Sequence, residues 1–255
     1  MFSLVIPVFR NEESIASLVT TLEGLSRSME GDFEAVFVVD GSPDRSLDRL
    51  AQALPGAAFA SQLLVLSRNF GSFAAITAGL AHARGPLYAV MAADLQEPPA
   101  LMLEFRRKLL AEGCEVVVGT RGRRFDPLSR RILSGLFWGL YRAFVQRDIP
   151  RGGVDVFACK QAFRDHLLSL RERNTTLVGL IFWLGFPRGE VAYDRQPRPH
   201  GRSSWSFARR ARYFLDSTFA FSDLPIRLVS LIGGDRKSTR LNSSHSRASR
   251  MPSSA

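Results

Sequence analysis

The chain has 255 residues, 45% of them hydrophobic and 23% charged. That composition supports one large domain with its own core and excludes disorder, collagen-like repeats and a disulfide-stapled miniprotein. The net charge of +10 points first to nucleic acid or an anionic membrane as partner.

The first half alternates strand and helix signals. Phe2–Val8 is a nearly continuous apolar run, as expected for a strand buried on both faces of a parallel sheet. Ile15, Leu18, Val19, Leu22 and Leu25 then recur at helical spacing. Asn11 is read as the cap, with Glu12 and Glu13 suiting the positive helix start. Phe33–Val39 is a second strand, closed by the turn Asp40-Gly41-Ser42-Pro43-Asp44. Leu63–Leu66, Leu87–Met91 and Val116–Val118 read as further strands, with helices over Phe73–Ala83 and Leu101–Leu110. This rhythm predicts an α/β layer fold with a mostly parallel sheet. Ligands of such sheets sit beyond the carboxyl ends of the strands. The polar segments Arg10–Glu12, Asp40–Asp44, Ser67–Asn69 and Asp94–Gln96 all follow strands, so they are expected to converge on one crevice.

The second half differs. Leu128–Val145 is helix-like and rich in Leu, Phe and Trp, with Arg130, Arg131, Arg142 and Arg147 interspersed. Trp205–Phe221 combines aromatic residues with Arg209, Arg210 and Arg212. A basic, aromatic amphipathic helix reads as a membrane-surface element; an ordinary core helix with a solvated basic face explains the pattern equally well. No run reaches the roughly 20 apolar residues of a membrane span, but Leu224–Ile232 reads as the start of one.

Asp235–Ala255 is rich in Ser and Arg and lacks hydrophobic periodicity. Its first eleven residues, Asp235–His245, read codon for codon as a translated sequencing-library adapter. The segment is therefore set aside as an artefact, and the natural protein is expected to continue past Gly234. Without the five Lys and Arg and the one Asp of this segment, residues 1–234 carry +6. That modest excess, interleaved with apolar faces, argues against nucleic acid as the partner.

Other conspicuous residues take plain readings. Cys114 and Cys159 lie in apolar runs, which points to a reduced compartment and to small core residues rather than nucleophiles. The four histidines have no metal-ligand spacing, and Ser42 has no nearby His to activate it. Trp138 and Trp183 read as packing residues or interfacial anchors. Phe2–Phe9 is too short for a secretory signal and is followed at once by Arg10, Asn11 and Glu12.

Asp94 and Gln96 lie just past a buried strand. On an extended segment they would present two oxygens on one side, suited to a hard divalent ion that takes its remaining ligands from a diphosphate. A strand-end turn stopped by Pro98-Pro99 is the plain alternative. The order of the pieces adds more. Ile6–Ile15, Val38–Asp44, Leu66–Gly71, Ala78-Gly79-Leu80 and Ala93–Pro99 resemble, in sequence order, the motifs of family 2 glycosyltransferases. Within these the likeness is to polyprenyl-phosphate sugar synthases, and it spans Phe2 to Gly234.

The resemblance implies a GT-A fold over residues 1–200. Residues 201–234 would form a mobile loop, an interfacial helix and the start of a transmembrane segment. It implies inverting transfer from a nucleotide-diphosphate sugar to a polyprenyl phosphate, with Mg²⁺ or Mn²⁺, at the cytoplasmic face of a bacterial inner membrane. Homo-oligomerisation is left open. Pro7, Phe9 and Glu12 match the first nucleotide-contacting motif, with Phe9 where Tyr is usual and Asn11 an alternative to Glu12. Asp40 matches one Asp of a paired motif whose other position is Val39. Asp94 and Gln96 match the metal motif, in which Ala92 replaces the first Asp. Arg121 matches a basic residue facing the phosphates. Arg130, Arg131 and Ser134 fall where acceptor-phosphate ligands are found. Asp155 is the candidate catalytic base, and Asp94 is counted catalytic as a metal ligand.

Phe157 and Ser204 stand where cations are usual. With Val39 and Ala92, they are the features that support an alternative to the enzyme reading, in which the fold binds nucleotide sugar without turnover. A second alternative is a polysaccharide-extending transferase with a hydroxyl acceptor, which would depend more heavily on Asp155.

Overall fold

The computed structural model describes residues 1–111, 113–121, 150, 154–170 and 176–197, with isolated positions 139, 215, 216, 218, 219 and 230. Strands β1 (Phe2–Val8), β2 (Phe33–Asp40), β3 (Ala60–Leu66), β4 (Leu87–Val90), β5 (Val116–Arg121), β6 (Val154–Lys160) and β7 (Arg188–Tyr193) form one sheet in the order β3-β2-β1-β4-β6-β5-β7. β1 pairs in parallel with β2 and β4, β2 with β3, and β5 with β7. β6 alone runs against its neighbours, antiparallel to both β4 and β5. The mostly parallel α/β expectation holds.

Side chains alternate across the strands, so each strand feeds two cores. Phe2, Leu4, Ile6 and Val8 of β1, with Phe33, Ala35, Phe37 and Val39 of β2, pack on one face. There they meet helices α1 (Ile15–Ser28), α2 (Ser46–Ala53) and α4 (Ala100–Ala111). Val5, Val36 and Val38 face the other way, onto α3 (Ser72–His82), α5 (Gln161–Ser169) and α6 (Leu177–Trp183). Burial on both faces is why β1 and β2 read as continuous apolar runs. Cys114 and Cys159 are buried as expected, and burial pushes the Cys159 thiol far above its ordinary range.

Two local expectations are corrected. α1 begins at Ile15 with Ser14 at its cap position, not Asn11. The Asn11 side chain instead accepts the Phe9 N–H at 3.0 Å, closing a turn before the helix, so Glu12 and Glu13 precede the first turn. Pro7 tolerates a sheet position for a directional reason. The Val5 carbonyl accepts from Met91 N at 3.1 Å, so Pro7, two residues on, turns its missing donor the same way. The β1–β4 pairing ends at Val5, so no ladder bond is lost there.

Among the described residues no helix is long and apolar enough to cross a membrane. The helix-like run 128–145, the aromatic segment 205–221 and residues 235–255 lie outside the described residues, isolated positions aside.

Candidate active site

β1, β2, β3 and β4 all end at the same edge of the sheet, and the segments that leave them lock together there. Gly41 makes the closest approach. With φ +56, a side chain there would place Cβ 2.3 Å from the Arg68 carbonyl carbon, so the exits of β2 and β3 touch backbone to backbone. Only glycine meets both demands. Asp40, 3% exposed, sits just before it. Its Oδ1 accepts the Phe70 N–H at 2.7 Å, while Oδ2 accepts the Gly71 N–H at 2.9 Å and the Asn69 amide at 3.0 Å.

The exits of β1 and β2 are laced in the same way. Arg10 N donates to Ser42 Oγ at 2.7 Å, and Ser42 Oγ donates to Asp44 Oδ1 at 2.6 Å. Glu12 N donates to Asp44 Oδ2 at 3.1 Å, and Arg45 N returns a bond to Glu12 Oε2 at 2.8 Å. Burial pushes the Asp44 carboxyl up, but hydrogen bonds from Ser42, Ser46 and the Glu12 backbone outweigh it and hold the group below its ordinary value. Ser14 Oγ donates to Ala93 O at 2.9 Å, tying the start of α1 to the loop after β4.

On the rim, two exposed guanidiniums stack on aromatic rings: Arg10 over Phe9 at 5.3 Å and Arg68 over Phe70 at 4.1 Å. Cationic, partly apolar faces of this kind suit a planar, anionic ligand. The loop after β4 carries Asp94, which is buried. Leu95 adopts φ 55, so Asp94–Gln96 is not the extended segment expected from sequence; the chain curls and Gln96 N donates to Asp94 Oδ1 at 3.3 Å. Of the non-glycine residues with positive φ, Arg10 and Leu95 both lie at this edge, where strained backbone commonly marks function.

The Gln96 side chain is engaged at both ends. Arg195 donates to its Oε1 at 2.7 Å, and its Nε2 donates to Gln196 O at 3.1 Å. The backbone adds a third tie, Gln196 N to Gln96 O at 2.9 Å. Gln96 Oε1, the oxygen expected to face a metal, accepts from the Arg195 guanidinium in this structure. Among the described residues no group of three or more His, Cys, Asp or Glu side chains is placed to hold a metal.

A family model described as glycosyl transferase family 2 matches residues 3–169. The chain belongs to that family. Among its relatives is the undecaprenyl-phosphate 4-deoxy-4-formamido-L-arabinose transferase of Pseudomonas paraeruginosa, 35% identical over 92% of this chain and 69% of that protein. An uncharacterised glycosyltransferase of Bacillus subtilis, YkcC, is 32% identical over 91% of this chain and 72% of its own length. Among solved structures, glucosyl-3-phosphoglycerate synthase of Mycobacterium tuberculosis superposes with a TM-score of 0.62 at 19% identity, covering 88% of this chain and 81% of that one. A mannosyltransferase of Pyrobaculum calidifontis gives 0.59 at 16% identity, covering 86% and 63% respectively. These neighbours share the GT-A fold.

In this glycosyltransferase, Pro7 lies within β1, and Phe9 and Glu12 in the turn that follows it. Glu12 and Asp40 use their carboxylates on neighbouring backbone, which makes them fasteners of the crevice wall. Arg121 ends β5, and Asp155 lies near the start of antiparallel β6, so both backbones reach the same edge as the four loops. Their side chains, and Arg130, Arg131 and Ser134 entirely, lie outside the described residues. The sequence reading missed Arg195 and Gln196. Arg195 follows β7 and meets Gln96 across 99 residues of chain, a separation that periodicity does not register.

Proposed function

We propose that this family 2 glycosyltransferase moves a sugar from a nucleotide-diphosphate sugar to a polyprenyl phosphate at the cytoplasmic face of a bacterial membrane, in cell-envelope glycan synthesis or modification. The observation that carries the reading is the meeting of four strand exits at one edge, in a chain that aligns over 92% of its length with an undecaprenyl-phosphate sugar transferase.

In this reading Phe9, Arg10, Arg68 and Phe70 form the rim that receives the nucleotide, with stacked guanidiniums placed for its anionic groups. Glu12, Asp40 and Asp44 keep that rim in one shape, so little ordering is left for the moment of binding. The neighbouring M. tuberculosis and P. calidifontis structures are complexes that include Mn²⁺. Here Asp94 would hold a divalent ion, which when bound neutralises charge on the leaving diphosphate. Arg121 and Asp155 belong to the same edge by backbone position and are assigned to the phosphates and to the acceptor side. A phosphate acceptor is already anionic near neutrality, with a second pKa of about 6. Asp155 is therefore assigned to orienting the acceptor more than to abstracting a proton.

The test is thermal stabilisation of the chain by UDP, GDP and CDP, each with and without Mn²⁺, followed by turnover with undecaprenyl phosphate and with a saccharide hydroxyl acceptor. One nucleotide should stabilise in a metal-dependent way, by about 2.7 kcal/mol at a hundred times its dissociation constant. Asp94→Ala should lose the metal-dependent part. Transfer only to the saccharide would replace the lipid-phosphate reading, and binding without turnover on either acceptor would favour a non-catalytic role.

A further inference from the structure

The contact between Arg195 and Gln96 points to a device beyond donor binding itself. We propose that Arg195 is a latch on the diphosphate side of the site, competing with the divalent ion for the Gln96 side-chain oxygen. The inference rests on the reading of Asp94 as a metal-holding residue and adds a positioning residue to it.

The geometry fixes the amide orientation. A guanidinium offers only N–H donors and a backbone carbonyl only lone pairs. Gln96 Oε1 therefore faces Arg195 at 2.7 Å and Nε2 faces Gln196 O at 3.1 Å. Flipping the amide would set donor against donor and acceptor against acceptor. The oxygen that would serve a metal is thus the atom the arginine holds. A guanidinium and a divalent ion on one carbonyl oxygen would place two cations side by side, so occupancy by one disfavours the other.

The surrounding geometry allows the exchange. Gln196 N to Gln96 O, at 2.9 Å, joins the two segments through backbone alone. Parting Arg195 from Gln96 Oε1 leaves that backbone tie in place. The left-handed Leu95, φ 55, sets Gln96 at the bend of its loop, where a change of side-chain partner requires no movement of β4. Ala92 sharpens the competition, because the set toward the ion lacks a carboxylate at that position and Gln96 weighs more in what remains. The resting site is then closed by the chain's own cation, and the ion enters by displacing it.

The experiment titrates Mn²⁺ into the full chain at saturating concentration of the stabilising nucleotide, following melting temperature, for wild type, Arg195→Met, Gln96→Ala and the double variant. Circular dichroism of each confirms folding. Arg195→Met should lower the Mn²⁺ concentration for half-maximal stabilisation by about threefold to tenfold, with Arg195→Lys in between. In the Gln96→Ala background the same substitution should leave the midpoint unchanged, because the contested atom is gone. A purely structural Arg195 would move both backgrounds alike, and that result overturns the latch. An unchanged or raised midpoint in Arg195→Met also overturns it while leaving the donor reading intact. If neither wild type nor Arg195→Met responds to metal, both fail together. A response in Arg195→Met alone supports the latch in its strongest form.

Discussion

The Asp40 carboxylate accepts two backbone N–H groups and one side-chain amide, all from residues 69–71. Removing it leaves two backbone donors without that acceptor at a part-buried point, while the Asn69 amide keeps the Asp40 carbonyl at 3.2 Å. Each unsatisfied buried donor costs about 1–3 kcal/mol. Asp40→Ala should therefore lower unfolding free energy by about 1–3 kcal/mol, read as a drop in urea midpoint at unchanged slope. Asp44 has a different signature. Its folded-state pKa lies below the ordinary value because Ser42, Ser46 and the Glu12 backbone outweigh the burial that raises it. A depressed folded-state pKa stabilises above the unfolded value, about 3.9. That contribution is lost as pH falls from there through the folded-state pKa. Wild type and Asp44→Asn should differ in melting temperature at pH 6, with the difference shrinking steadily below pH 4.

At the scale of elements, α3 lies unusually near the sheet because Gly79 has no side chain. A Cβ there would come within 2.3 Å of Val5 Cγ1 and 3.1 Å of Val38 Cγ2, both stiff β-branched groups on central strands. Alanine at position 79 improves helix propensity by about 1 kcal/mol but overpacks the face, at a typical 1–3 kcal/mol. Gly79→Ala should be net destabilising, and Gly79→Ala with Val5→Ala should recover part of the loss in chemical denaturation. The same scale shows what the sequence made legible. β1, β2 and β4 were readable because burial on both faces leaves an unbroken apolar run. β6 escaped as a strand because Asp155 and Lys160 break its apolar pattern, and its reversed direction depends on partners far away in sequence. α2 was missed because only Ser46 and Leu50 of its residues are buried, too few for a periodic signal. The convergence of the strand exits was foreseeable from topology alone. That Glu12, Asp40 and Asp44 would fasten loops to one another, and that Gln96 would be held by Arg195, depends on long-range pairing.

Across the whole molecule, strand order carries a consequence for how the chain comes to be folded. β5 and β7 touch the first four strands of the sheet only through β6, which is made after β5 and before β7. During synthesis residues 2–90 can complete a four-stranded parallel unit, whereas β5 must wait for a later strand before it has a ladder partner. Assembly in chain order makes the addition of β6 the step that joins β5, and later β7, to the first four strands. Phe157 anchors that step: it is 2% exposed, sits opposite Val118 in β5 and packs edge-on against Phe163. Phe157→Ala removes about 3–5 kcal/mol of packing. Native-state hydrogen exchange should then accelerate in β5, β6 and β7 well before β1 and β2, splitting one cooperative unit into two. An even acceleration across all seven strands would mean that the sheet closes as a single event. A chain arrested before residue 154 would hold an apolar four-stranded sheet with the open edge of β4 unpaired, the species that a chaperone would have to shield.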